Sequence, residues 1–488
     1  MDTDLSHTLP AQPELAPDCT TPPAPRFSHA LTVLAALVLA GGILMLANVI
    51  LSMPPLDRVE EKDRALALIV NRTMDLEYAI AQTPAWEHVF YKATTGWADE
   101  LAQALTWYEE LAEVSDEPLT LAYLAVLEGE AGRLESVQDE IKGWEQLPAP
   151  FPVYARLLQA AYLDQEPIRE DQASALRDEL ADNMPAGWFG DRLAISLATH
   201  AGDRAWLSDA QDNLAARGQA LLWRARVLLA LDLGILAAGL ALAVVLYTRR
   251  RRDLDALAVG SAAVPPPWSG EVGAVVLIRG GALWIGLMIA VLSIGDESLR
   301  VVTVPLTYLP LLLLARHYLL APAGTGLQEG LGLIPRPSGW GRCWRLVMVL
   351  ASAGLLGEWA ITVMAEPAGF PSHWTEGFDE RMIWGSLPEL GTSLVETIVF
   401  APLFEELVFR GLFFATLRRR FGFVASALIS AAVFAIAHGY GLLGFVSVLW
   451  SGVLWAWAYE RSGSVLPGML AHMLNNAAVC LSVILFLR

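Results

Sequence analysis

The sequence predicts an all-α fold: a polytopic α-helical membrane protein of about nine spans carrying an inserted α-helical domain. Three observations predict it. Of the 488 residues 55% are hydrophobic and only 17% charged, with a mean hydropathy of +0.43, a balance unlike that of an average soluble domain or a disordered chain. The apolar residues gather in runs of about the length that crosses a bilayer as a helix. Charge is concentrated instead between 54 and 217, where 31 Asp and Glu stand against 13 Lys and Arg, so this stretch carries nearly all of the net charge of -19.

Taken in order, residues 1–29 lack hydrophobic periodicity and are rich in proline, the pattern of a disordered tail, here on the cytoplasmic side. The apolar run 30–51 is too long for a signal-peptide core and has no basic leading region, so it is expected to be an uncleaved membrane anchor ended by Pro54 and Pro55. The acidic stretch 54–217 alternates helical apolar patterns with breaks at 131–133, 164–167 and 201–203. That spacing, with a small/apolar helix before each break, resembles degenerate tetratricopeptide units of about 34 residues. An irregular helical bundle is the alternative, and either way a soluble α-helical domain is expected.

Membrane spans and a linker follow over 221–343, with apolar runs at 221–247, 274–294 and 301–320, then 346–364, 390–417, 423–438, 442–459 and 467–487. The basic cluster Arg249 to Arg252 marks a cytoplasmic end under the positive-inside rule. Alternate threading then puts Arg336, Arg342, Arg345 and Arg418 to Arg420 on the same side, and the acidic domain 54–217 outside the cytoplasm. Arg279, Arg316 and His317 lie near cytoplasmic ends, where they can snorkel as anchors, whereas Glu358 lies deeper and has no assigned partner. Cys19, Cys343 and Cys480 are the three cysteines, none in the acidic domain, so a disulfide scaffold is not expected.

The last third, 344–488, holds the chemistry. Phe400 to Phe414 is apolar enough to span yet contains Glu405, Glu406 and Arg410. An ionisable group at bilayer depth costs roughly 2.5 to 3.5 kcal/mol on insertion scales and so faces protein or a watery cavity. Glu406 and Arg410 are i,i+4 neighbours able to pair, while Glu405 lies about 100° round the helix and is free to point elsewhere. A buried Glu-Arg pair alone is a packing device. Two further i,i+4 pairs on the next apolar runs, Phe434 with His438 and His472 with Asn476, turn the balance toward a site.

Glu-Glu-x-x-x-Arg, Phe-x-x-x-His and His-x-x-x-Asn, in that order on successive hydrophobic segments, resemble the CAAX protease and bacteriocin-processing (CPBP, or Abi) family of intramembrane proteases. The resemblance covers roughly the last hundred residues and implies an endopeptidase. It implies that Glu405 and His438 handle the attacking water and that His472 and Asn476 stabilise the oxyanion, with Glu406 and Arg410 structuring the site. The inventory suits that chemistry, since peptide hydrolysis needs an activated water, an oxyanion stabiliser and a proton donor for the leaving amine. Ser447, Ser451 and Cys480 have no acid-base partner at a recognisable spacing, which disfavours a covalent nucleophile.

Glu405, His438 and His472 could alternatively hold one divalent metal such as zinc, although no His-Glu-x-x-His helix is present. The preferred reading requires no cofactor. Expected partners are membrane lipid, a peptide or protein substrate at the membrane and a protein partner of 54–217, with no nucleic acid. The rival reading is a non-catalytic membrane scaffold or bacteriocin-immunity protein whose acidic domain binds a partner. A transporter would call for a second, inverted copy of the charged spans, and none is visible.

Overall fold

The computed structural model describes residues 25–95, 99–249, 256–294, 300–365 and 373–488, and among them every regular element is helical. The expected tail falls largely outside the described residues. Helix α1 (His29–Ser52) is apolar all round and exposes Leu37 and Leu44, as a lipid-facing helix does. The next long helix, α2 (Arg204–Arg249), is followed by α3 (Gly270–Ile294) and α4 (Arg300–Ala315, continued by a π-helical turn to Leu320). The core comprises α5 (Gly339–Ala365), α6 (387–417), α7 (Phe423–Ile436), α8 (Leu442–Ser462) and α9 (Leu466–Leu487).

Seven of these helices, α1 to α5, α8 and α9, are long and apolar enough to cross a membrane. The other two expected spans differ from that pattern for identifiable reasons. Helix α6 is continuous but broken in register, with π-helical stretches at Glu396–Phe400 and Glu406–Phe414 around its Pro402 and its charged residues. Helix α7 has 14 residues, about 21 Å of helix against roughly 30 Å of hydrocarbon. It stops at Ile436 because Gly439, with φ 67°, turns the chain left-handed three residues before the next helix begins.

Between α1 and α2, helices from Lys62–Ala81 to Trp188–Ala201 pack around Leu66, Tyr108, Leu127, Leu157, Phe189 and Leu193. The breaks expected at 131–133 and 201–203 are helix ends turned by Gly132 and Gly202, both at positive φ, and 164–167 follows the helix ending at Leu163. On its C-terminal side the domain runs into the membrane region with no break in the helix. The expected boundary at 217–221 lies inside α2, a single helix of 46 residues that no proline interrupts. Its first half packs into the domain through Trp206, Ala210 and Leu214. Arg217 on α2 pairs with Asp75 at 2.9 Å and Asp191 at 2.6 Å; burial pushes both carboxyls up and the guanidinium pulls them back.

The domain is also tied to the core by the segment between α5 and α6. Trp374 is 7% exposed within the domain's own core, with Phe378 and Trp384 packed beside it. Around them His373 Nε2 lies 3.1 Å from Glu110 Oε2, the Glu61 amide donates to Glu380 at 2.9 Å, and the Arg64 guanidinium sits 4.3 Å over the Trp384 ring. Arg488, beyond α9, donates to the carbonyls of Met382, Ile383 and Gly385.

Two measurements follow. A topology reporter inserted at the open Gly132 turn is expected to behave as extracytoplasmic; a cytoplasmic signal would shift the threading by one span. Trp374→Ala is expected to loosen the helical domain by about 3 to 5 kcal/mol, read as a lower thermal midpoint, although Trp374 lies far from the domain in sequence. An unchanged midpoint would mean that the segment merely rests on the domain.

Candidate active site

The geometry starts from α6. Glu406 and Arg410 are each 1% exposed, and Arg410 Nη1 donates to Glu406 Oε1 at 2.6 Å. The other face of the guanidinium has no hydrogen-bond acceptor and lies instead over two rings, 4.3 Å from Phe434 and 4.9 Å from Trp455. A desolvated cation-π contact contributes about 2 kcal/mol, which offsets part of the cost of burying the charge. Two glycines make the room. A methyl group on Gly452 would stand 3.0 Å from Arg410 Nη2, and one on Gly468 would stand 3.4 Å from Glu406 Oε2.

His472, on α9, is seated by the same pair. Its Nδ1 lies 3.2 Å from Glu406 Oε1, its Nε2 lies 3.9 Å from Glu405 Oε2, and its ring stacks on Trp455 at 4.0 Å. The imidazole therefore stands between the two neighbouring carboxylates of α6. Glu406 is locked on Arg410, whereas the Glu405 side chain remains 19% exposed.

His438 lies just past the end of α7. Its Nδ1 is 2.8 Å from the Phe434 carbonyl, leaving Nε2 as the outward atom. Phe434 separates the two histidines, with ring centroids 4.6 Å from His438 and 5.9 Å from His472.

Asn476 faces a defect in α6. In the π-helical turn Glu396–Phe400 the Ala401 amide donates to Glu396, so residue 402 would donate next to Thr397. Pro402 has no N–H, and Asn476 Nδ2 donates to the Thr397 carbonyl at 2.9 Å in its place. One amide hydrogen of Asn476 remains.

Of the six residues singled out from the sequence, Glu405, Glu406 and Arg410 thus lie on α6, His472 and Asn476 on α9 and His438 just past the end of α7, with Arg410 and His472 packed against Phe434 and Trp455. Several neighbours carried no sequence signal. Trp455 is one of 17 tryptophans, and only the fold puts it under His472. Tyr308, stacked on Phe404, and Tyr440 both lie within electrostatic reach of Glu405. Glu376, from the segment docked on the helical domain, rests against Gly441, where a methyl group would meet its Oε1 at 2.6 Å.

The alternative metal set, Glu405, His438 and His472, is not drawn together in this arrangement. Among the described residues no three His, Cys, Asp or Glu side chains are grouped so as to hold a metal ion. His472 Nδ1 is hydrogen-bonded to Glu406 and His438 Nδ1 to a backbone carbonyl, which leaves Nε2 as the free nitrogen of each imidazole, and both rings lie against Phe434.

Residues 389–478 match the family model described as type II CAAX prenyl endopeptidase Rce1-like. The family expected from the three motifs is therefore the one found over this segment, and it implies a peptidase. The chain is also 30% identical over 132 residues to an uncharacterized 24.3 kDa protein of Escherichia coli, a stretch amounting to 26% of this chain and 56% of that protein. The chain spans about half the length of that curated relative. No solved structure matches.

Arg410→Ala would strand Glu406 in an apolar setting, at about 3 to 5 kcal/mol for a buried pair broken on one side. The expected outcome is low abundance and early unfolding in detergent. A well-folded, abundant Arg410→Ala protein would show that the pair is not what seats His472.

Proposed function

We propose that this chain, similar over residues 389–478 to the type II CAAX prenyl endopeptidases, is an intramembrane endopeptidase in which Glu405 activates water. The observation that carries the reading is the division of labour between adjacent carboxylates. Glu406 is closed on Arg410 and His472, whereas Glu405 is partly exposed, with the His472 Nε2 edge 3.9 Å away.

In the reaction, Glu405 takes one proton from a water molecule as its oxygen attacks the scissile carbonyl carbon. The carbonyl oxygen becomes an oxyanion, and donors on His472 and Asn476 stabilise it. Collapse breaks the C–N bond while Glu405 returns the proton to the leaving nitrogen, giving a carboxylic acid and an amine. His438 Nε2 positions the water. Glu406 and Arg410 touch no reacting atom; they hold His472 and the pitch of α6. The domain 54–217, outside the cytoplasm in this reading, binds a protein partner or substrate.

Glu405→Gln is nearly isosteric but takes no proton, so it is expected to abolish hydrolysis while folding is retained. Asn476→Ala is expected to lower turnover by roughly a hundredfold to a thousandfold with little change in KM. The measurement is cleavage in liposomes of a fluorogenic peptide with a prenylated Cys-a-a-X tail, beside its unprenylated counterpart and with and without chelator. Wild-type turnover by folded Glu405→Gln would sink the mechanism. Reversible loss on chelation would favour the metal, and a folded wild-type protein inert on both peptides would favour the scaffold reading.

A further inference from the structure

A second polar feature reaches Trp455, the ring on which His472 stacks. Helices α2, α5, α8 and α9 line a partly open cavity of about 50 Å³ bordered by Asp232, Ser451, Gly354, Trp455 and the exposed Asn475. Asp232 has no hydrogen-bond or ion-pair partner among the described residues. Above it Ser447, one turn from Ser451 on α8, donates to Glu358 Oε1 at 3.1 Å, and Glu358 lies toward the end of α5 that adjoins the helical domain. Glu358, Ser447, Ser451, Asp232 and Asn475 thus form a polar track that descends to Trp455. From Ser447 to Trp455 it runs eight residues of helix, about 12 Å.

Two physical limits decide what fills it. Carboxylates at membrane depth rarely face lipid; they face protein or water. One water needs roughly 10 to 15 Å³ of such space and two to four polar partners, so this cavity has room for about three or four waters, and Asp232, Ser451 and Asn475 supply their partners. We propose that the track is a water-filled crevice, open on the side of the helical domain and closed at its foot by Trp455, which keeps water within one indole ring of His472. Resting on the reading of a hydrolytic site, its role is to supply the water that each turnover consumes. The hydration itself does not depend on that reading.

The test uses the full chain in liposomes with Cys19, Cys343 and Cys480 replaced by serine. Ser451→Cys and, on the opposite wall, Asn475→Cys are treated with a charged, membrane-impermeant methanethiosulfonate reagent, beside Val479→Cys, 57% exposed one turn away on α9. A thiol reacts as its thiolate, which forms in water and not in lipid. The expected result is labelling of either crevice cysteine at least tenfold faster than Val479→Cys. Equal or slower labelling of both, in folded protein, overturns the crevice whether or not the protein proves to be a protease. With labelling established, Asp232→Asn with Glu358→Gln is expected to lower kcat severalfold at unchanged KM. An unaltered kcat in that double variant overturns the water-supply role while leaving the hydrolytic reading intact.

Discussion

The ion pair between Glu406 and Arg410 is the constraint on which the rest of the core depends. An isolated charge at this depth would be untenable, yet the pair is the least exposed point of the site. Its requirements propagate outward. The guanidinium demands two aromatic faces, which fixes Phe434 on α7 and Trp455 on α8. Glu406 receives His472 from α9, and Trp455 carries that imidazole on its face. At Gly452 a side chain would crowd Ala431 and the guanidinium, and at Gly468 it would crowd Trp455 and rest on Glu406. One salt bridge therefore sets the relative positions of four helices, and the freedom of Glu405 is the complement of the confinement of Glu406.

A second constraint joins the core to the acidic domain. A helix of 46 residues cannot move at one end without moving at the other, and α2 runs from the domain core to Arg249. The segment 373–386 adds a second strut, since Trp374 belongs to the domain while the next turn brings Glu376 to Gly441, beside Tyr440. The domain is thus built into the architecture around the site as well as tethered through the anchor.

Much of this was legible in the sequence because the relevant physics is local. The i,i+4 spacing of Glu406 and Arg410, of Phe434 and His438, and of His472 and Asn476 shows which side chains share a face, and intramembrane polarity shows which faces matter. What escaped is non-local. The burial of Trp374 in a domain more than 150 positions earlier has no signature in periodicity. The change in composition near 217 is not a break in the helix: α2 passes from the domain's core into its apolar run without a residue that interrupts its hydrogen bonds. The span expected at 390–417 is a continuous helix, and what its periodicity does not show is the π-helical register around its proline and its charged residues.

That register is itself part of how the site is made. Pro402 removes a donor, and in a regular helix the loss would be a defect of about the cost of one unsatisfied buried carbonyl, roughly 1 to 3 kcal/mol. Here the exposed Thr397 carbonyl orients Asn476 from another span, and the amide of Asn476 is held in one rotamer with its second hydrogen directed by the first. The same proline lies three residues before Glu405, so the irregularity that recruits Asn476 also sets the pitch at which the two carboxylates diverge. A helix with no such defect would keep Glu405 and Glu406 on its surface but would give Asn476 nothing to hold, and the amide would lose the preorganisation on which an oxyanion donor depends.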